Sequence, residues 1–270
     1  MREPFVRDEI FCPGPTPVPE SARQAGTITN VYHRSKEFAE VFLDCRTKLQ
    51  PIFQSPAAPL IFASSGTGAM EAAVVNLTSA GDPVVVINAG KFGERFVKMT
   101  QAYGCQTEVV PVEWGDTPDP QVVADVAAKG KARALYFQAN ETSTGVQFPV
   151  PEIAAAVRKK SPDTLICVDA ISYACAHELR MQDWDLDCVV SGSQKGFGVP
   201  AGLSFLAASD RAIQRLSDRP RFYFDYATEA KAQASGKSAW TPATTLVFAL
   251  QQVLNEIHQM GIGKLVEHHT

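Results

Sequence analysis

The sequence predicts an α/β fold, a mainly parallel seven-stranded sheet with helices on both faces. Three observations carry that expectation. Seven short apolar runs stand at residues 60–63, 83–87, 107–112, 133–138, 164–168, 187–190 and 203–207. Helical segments separate several of them, at about 68–79, 93–103, 120–129 and 151–160. The apolar runs are nearly continuous rather than alternating, as strands covered on both faces require.

The remaining elements follow in chain order. Residues 11–20 (FCPGPTPVPE) hold too many prolines for a helix or a central strand, so residues 1–20 read as an extended arm. A helix follows over about 35–53, because Phe38, Phe42, Cys45, Leu49 and Ile52 recur at helical spacing. After the last strand, Leu246, Leu250, Val253, Ile257 and Met260 stripe one face of a long helix over 244–260. Gly261 and Gly263 are expected to stop it.

Composition narrows the function classes. A chain of 270 residues, 45% hydrophobic and 20% charged, can bury one large core or two smaller ones. A net charge of −4 gives no electrostatic footprint for nucleic acid or an anionic membrane. No apolar run approaches the roughly 20 residues of a membrane helix, and the acids in Met1–Glu9 argue against a secretory signal. The six cysteines (Cys12, Cys45, Cys105, Cys167, Cys175 and Cys188) form no CxxC pair, so they read as reduced thiols of a cytoplasmic protein, with no metal site.

Ligands of open α/β sheets sit at the carboxyl ends of strands. Four segments put chemistry there. Ser64-Ser65-Gly66-Thr67-Gly68 enters a helix after the first strand, and its free N–H groups and helix dipole suit a phosphate. Plain capping is the ordinary alternative. No Gly-Lys-Ser/Thr follows, and Glu71 stands where a dinucleotide fingerprint needs its third glycine, so a phosphate without a nucleotide fits better. That failed glycine and the otherwise unexplained Lys195 weigh against a nucleotide-dependent oxidoreductase.

The second segment ends a buried strand in Asp169, an acid that must be paired there: it could bind Mg²⁺, cap a loop or hold a cationic ring nitrogen. The third, Ser191-Gly192-Ser193-Gln194-Lys195-Gly196, places a lysine after a buried strand, where desolvation makes a nucleophilic amine. Most lysines are instead solvated surface charges. The fourth, Asn140-Glu141-Thr142-Ser143-Thr144-Gly145, offers hydroxyls for a ring substituent, or is simply a polar turn. Together they make a complete site for pyridoxal 5′-phosphate.

With these motifs the sequence resembles the class V pyridoxal-phosphate-dependent aminotransferases, in their alanine–glyoxylate and serine–pyruvate branch. The likeness runs along essentially the whole chain, through Pro13-Gly14-Pro15, Ser65-Gly66-Thr67-Gly68-Ala69-Met70-Glu71, Gly90-Lys91-Phe92-Gly93-Glu94-Arg95, Glu141-Thr142-Ser143-Thr144-Gly145 and Val168-Asp169-Ala170. Its most specific part is Ser191-Gly192-Ser193-Gln194-Lys195. The resemblance implies a fold-type I large domain and transamination between a small amino acid, alanine or serine, and a 2-oxo acid, glyoxylate or pyruvate. It implies that Lys195 holds the cofactor as a Schiff base and shuttles the substrate proton. Asp169 would pair with the ring nitrogen. Ser65, Gly66, Thr67 and Gln194 would hold the phosphate, Phe92 and Ile171 would cover the two ring faces, and Thr142 would lie near the ring hydroxyl.

The resemblance also implies a homodimer, with Ser238 and Thr241 reaching the neighbour's phosphate. A cysteine desulfurase of the same fold would carry His where Gln194 stands. The domain expectation is therefore an arm over 1–20, a cofactor-binding large domain over 21–243, and a helix over 244–270 bridging to a small C-terminal domain. The family's carboxylate-clamping arginine belongs to that domain, which is absent here, so the chain reads as truncated and its turnover as uncertain. A remnant that keeps fold and cofactor site without turnover is the alternative.

Overall fold

The computed structural model describes residues 12–28 and 31–269, so the first eleven residues of the expected arm lie outside it. All seven expected strands form, as β1 (Leu60–Phe62), β2 (Pro83–Asn88), β3 (Gln106–Pro111), β4 (Ala134–Gln138), β7 (Leu165–Asp169), β8 (Cys188–Gly192) and β9 (Ser204–Ala208). Two short strands, β5 (Asn140–Glu141) and β6 (Val146–Gln147), make a separate hairpin inside the polar segment that follows β4.

The large sheet runs in the order β1-β9-β8-β7-β4-β2-β3. Strands β3, β2, β4, β7 and β8 pair in parallel. Only β9 is reversed, antiparallel to both β8 and β1. The five residues of β4, of β7 and of β8 are all buried, which is why their sequences show no polar alternation.

Each strand sends alternate residues to two apolar layers. Leu135 and Phe137 of β4 point to a layer shared with α2 (Lys36–Phe53), α5 (Pro120–Lys129), α6 (Val150–Lys160) and α9 (Thr244–Met260). Ala134 and Tyr136 point to the other, built with α3 (Gly66–Leu77) and α4 (Lys91–Ala102). The stripe of α9 is thus part of the main core: Val247, Leu250, Val253 and Ile257 lie in one cluster with Phe38 and Leu49 of α2.

Four helices go beyond the sequence reading: α1 (Glu20–Ala25), α7 (Asp210–Gln214), α8 (Tyr226–Gln233) and α10 (Ile262–His269). The last corrects one expectation. Gly261 does end α9, with φ of 91°, but Gly263 lies inside α10 rather than stopping a helix. The turn at Gly261 redirects the chain, and a glycine within a short surface helix costs only about 1 kcal/mol.

Candidate active site

The site is assembled where the parallel strands end. After β1, Ser65 occupies the N-cap of α3 with extended backbone, yet its side chain makes no capping hydrogen bond. The first hydrogen bonds onto the Ser65 carbonyl come from Gly68 (2.8 Å) and Ala69 (3.3 Å). The N–H groups of Gly66 and Thr67, at the positive end of the helix, are therefore left for an anion.

Gly66 is buried, and a Cβ there would come within 2.5 Å of Ile171 Cδ1, so the start of α3 rests directly on Ile171. A Cβ on Gly192 would meet Gln194 Oε1 and the Gly66 nitrogen, both at 3.2 Å. Gln194 thus aims its amide at the same end of α3. Its Oε1 is buried without a partner. A half-turn of that amide presents its N–H₂ instead. An orphaned amide beside two open N–H groups fits a phosphate.

Lys195 lies two residues beyond Ser193, whose hydroxyl donates to the Pro200 carbonyl at 2.7 Å and accepts from the Leu203 N–H at 3.2 Å. This locks the loop. From outside, Thr16 of the arm donates its N–H to the Gln194 carbonyl (3.0 Å) and its hydroxyl to the Lys195 carbonyl (2.9 Å). Lys195 Nζ donates to the Pro13 carbonyl at 2.8 Å. Gly14 stands at φ of 135°, a backbone that favours glycine, and its missing Cβ leaves room beside Nζ, which would otherwise lie 2.7 Å away. Desolvation holds the lysine pKa down, and the Arg95 charge adds to this, while Cys12 and Asp169 oppose it.

Asp169 closes β7. It is 5% exposed, and its Oδ1 accepts the Ile171 N–H at 2.8 Å. Burial pushes its carboxyl up to about 7, with the nearby Glu141 charge adding to the rise. The Ile171 N–H and the charges of Arg95 and Lys195 pull the other way. A cation brought against this acid would be bound by its ionised form.

Phe92 sits at the second position of α4, and Glu141 places it. The Glu141 carboxylate is fully buried and accepts N–H bonds from Phe92 (3.1 Å), Gly93 (3.1 Å) and Ser143 (3.1 Å), as well as the Ser143 hydroxyl (2.6 Å). It caps α4 from the hairpin that follows β4. Thr142 beside it donates to Ser172 Oγ at 2.7 Å, which ties the hairpin to the loop after Asp169. One turn beyond Phe92, the Arg95 guanidinium carbon stands 4.7 Å from the Phe92 ring centre, and Nη1 donates to Thr67 Oγ1 at 2.9 Å.

The fold therefore gathers Ser65, Gly66, Thr67, Phe92, Thr142, Asp169, Ile171, Gln194 and Lys195 at one end of the sheet. Ser238 and Thr241 are not drawn to Lys195 within the chain. Ser238 donates to Glu229 at 3.3 Å, and Thr241 is exposed. Reading by sequence assigned no role to Glu141 or Arg95, although both stand inside quoted motifs. The signal available for Glu141 was an acid directly before two hydroxyl residues, Thr142 and Ser143, with no base near it in sequence.

Comparison with known proteins places this geometry. The sequence profile of the family described as aminotransferase class-V matches residues 19–270. A protein named soluble hydrogenase, small subunit, from a Synechococcus strain is 36% identical over 265 residues, covering 96% of this chain and 69% of that protein. The serine–glyoxylate aminotransferase of Hyphomicrobium methylovorum is 34% identical over 273 residues, covering 98% and 67%. The crystal structure of a Thermus thermophilus aspartate aminotransferase of subgroup IV superposes with a TM-score of 0.91 at 38% identity, over 96% of this chain and 73% of that one. No helix among the described residues is long and apolar enough to cross a membrane.

Proposed function

The chain belongs to the class-V aminotransferase family, and from that premise we propose that it carries pyridoxal 5′-phosphate on Lys195 and transfers an amino group from alanine or serine to glyoxylate or pyruvate. The observation that carries the reading is the set of groups at the strand ends: a half-buried Lys195 and a buried Asp169 on neighbouring strand ends, beside the uncapped N-terminus of α3. When bound, the cofactor supplies an aldehyde for the amine and a cationic ring that takes up electrons from the substrate's Cα.

Each residue then has a defined task. Lys195, its pKa held below the ordinary lysine value by desolvation, supplies the amine that attacks and afterwards carries a proton to and from the substrate's Cα. Asp169 would accept the hydrogen bond of the ring nitrogen, and its ionised form would keep that nitrogen protonated. The N–H groups of Gly66 and Thr67, with Ser65 and Gln194, bind the phosphate. Phe92 would cover one ring face, and Ile171, which is seated on Gly66, would cover the other. Thr142, tied to Ser172, would lie near the ring hydroxyl. A second copy of the chain would bring Ser238 and Thr241 to this phosphate. Six free cysteines, five of them buried, support the cytoplasm as its compartment. The proposed division has the large domain over 21–243 and a bridging segment over 244–270, which is two helices, α9 and α10, rather than one, with α9 packed on the large domain's core.

The test is direct. Protein incubated with pyridoxal 5′-phosphate should show a near-visible absorbance band, and borohydride should fix a pyridoxyl group on the Lys195 peptide. Absence of both, or an adduct that survives Lys195→Ala at the same yield, overturns the reading. Donor screening against glyoxylate and pyruvate then tests the transfer itself.

A further inference from the structure

Arg95 is the one side chain at this site whose chemistry is not yet used. It lies half-buried on α4, and among the described residues no carboxylate forms an ion pair with it. Other half-buried arginines are better satisfied: Arg158 pairs with Asp185 and Asp187 and Arg221 with Asp225, while Arg46, Arg133 and Arg219, which also lack a carboxylate, each donate to backbone carbonyls. Of the five N–H donors on the Arg95 guanidinium, one is spent on the neutral Thr67 hydroxyl. That hydroxyl belongs to the first turn of α3, whose N–H groups are open, so the cation borders the anion-binding end of the helix. Its charge also reaches Asp169 and Lys195.

We infer that Arg95 is the fixed positive charge of the cofactor site, held by Thr67 and the Phe92 face so that it offsets the cofactor's phosphate. The inference rests on the proposed cofactor and adds a residue to its recognition. The Phe92 contact has a further consequence. The ring contact and the Thr67 hydrogen bond together favour the guanidinium at the site over open solvent, so the charge is placed there before any anion arrives. Arginine suits this better than lysine, because its planar fork can hold Thr67, lie on the ring and still present donors to an oxyanion.

A rival role is mechanical: Arg95 could tie α4 to α3 and merely keep Phe92 in place. Pyridoxal and pyridoxal 5′-phosphate separate the two, because both present the ring and only one presents a phosphate. Equilibrium binding of each, followed by absorbance or quenching of protein fluorescence, should be compared in the unsubstituted protein, Arg95→Gln and Arg95→Lys. Arg95→Gln is expected to weaken pyridoxal 5′-phosphate by about 10- to 100-fold, the span of one charge-assisted hydrogen bond. Pyridoxal should change less than about threefold, and Arg95→Lys should keep most of the discrimination. Equal losses for both ligands, or no loss for either, overturn the inference while leaving the proposed function standing. Failure of the unsubstituted protein to form the trapped adduct on Lys195 overturns both.

Discussion

Two buried aspartates, one at each end of the same pair of strands, show how differently this sheet uses its two edges. Asp187 precedes β8, at the amino ends of the parallel strands. Its carboxylate is fully buried and saturated: it accepts the Ile166 N–H at 2.8 Å and the Ser209 hydroxyl at 2.9 Å, and it pairs with Arg158 and with Arg211. Asp169, at the carboxyl end of β7, accepts one N–H, from Ile171, and its carboxyl is pushed up to about 7. Identical side chains are thus a closed structural joint at one end and an acid awaiting a cation at the other. Helix caps and arginines elsewhere in the molecule show the same contrast between closed and open groups, though not by strand end. Ser35 caps α2 by accepting the Phe38 N–H, whereas Ser65 leaves α3 open. Arg158 is paired, whereas Arg95 is not. At the carboxyl ends, Asp169, the start of α3 and Arg95 keep polar groups available, while Glu141 is saturated there as a cap that positions Phe92.

That contrast can be broken by substitution. The largest effect is expected for Asp187→Ala, which strands Arg158 and the Ile166 N–H in the interior. Denaturant unfolding should show a loss of about 3–5 kcal/mol.

At the other end the sign reverses. The folded-state pKa of Asp169, about 7, lies above its ordinary value of 3.8. Between these limits the folded state binds more protons than the unfolded one, so this group's contribution to stability falls as pH rises from about 4 to 7. Cofactor-free Asp169→Asn should therefore be more stable than the unsubstituted protein at pH 8, by at most about 4 kcal/mol, and equal to it below pH 4. Its cofactor binding should nonetheless be impaired. Equal stability of the two proteins across that range would remove the distinction between the two acids.

Glycines sharpen it further. A Cβ at Gly196, next to Lys195, would lie 2.5 Å from the Ala174 carbonyl oxygen. Gly196→Ala should cost about 1–3 kcal/mol by overpacking and shift the lysine loop, lowering the yield of the trapped adduct. Gly130 caps α5 at the opposite end with φ of −80°, and its nearest contact, the Val126 carbonyl, would be at 3.4 Å. Gly130→Ala should be neutral or stabilising by up to about 1 kcal/mol. The smallest effects concern the caps. Ser35→Ala is expected to cost about 1 kcal/mol and Ser65→Ala less than about half of that, as read from thermal unfolding without cofactor.

Most of the sheet was legible because its strands are buried on both faces, and continuous runs such as Ala134–Phe137 or Leu165–Val168 have no other reading when short helices separate them. The short helices escaped. α7 has five residues and α8 eight, too few for a periodic stripe to stand out, although Ser209 and Asp225 announce both as N-caps. Gly263 misled for a related reason: a glycine does not by itself end a helix, and here the backbone leaves helical geometry at Gly261, with φ of 91°.

The sequence by itself determined the strand–helix alternation, the position of Lys195 after a buried strand, and the small and hydroxyl residues that open α3. Those are local properties, set by burial pattern and by residue chemistry within a few positions. Only the tertiary structure decided which groups share one space and which are already satisfied. Glu141 reaches Phe92 across 49 residues, Arg95 reaches Thr67 across 28, and the arm reaches Lys195 from 182 residues away. No periodicity encodes such contacts. They exist because parallel strands bring every carboxyl end to one side of the sheet, where sequence distance no longer separates the residues that act together.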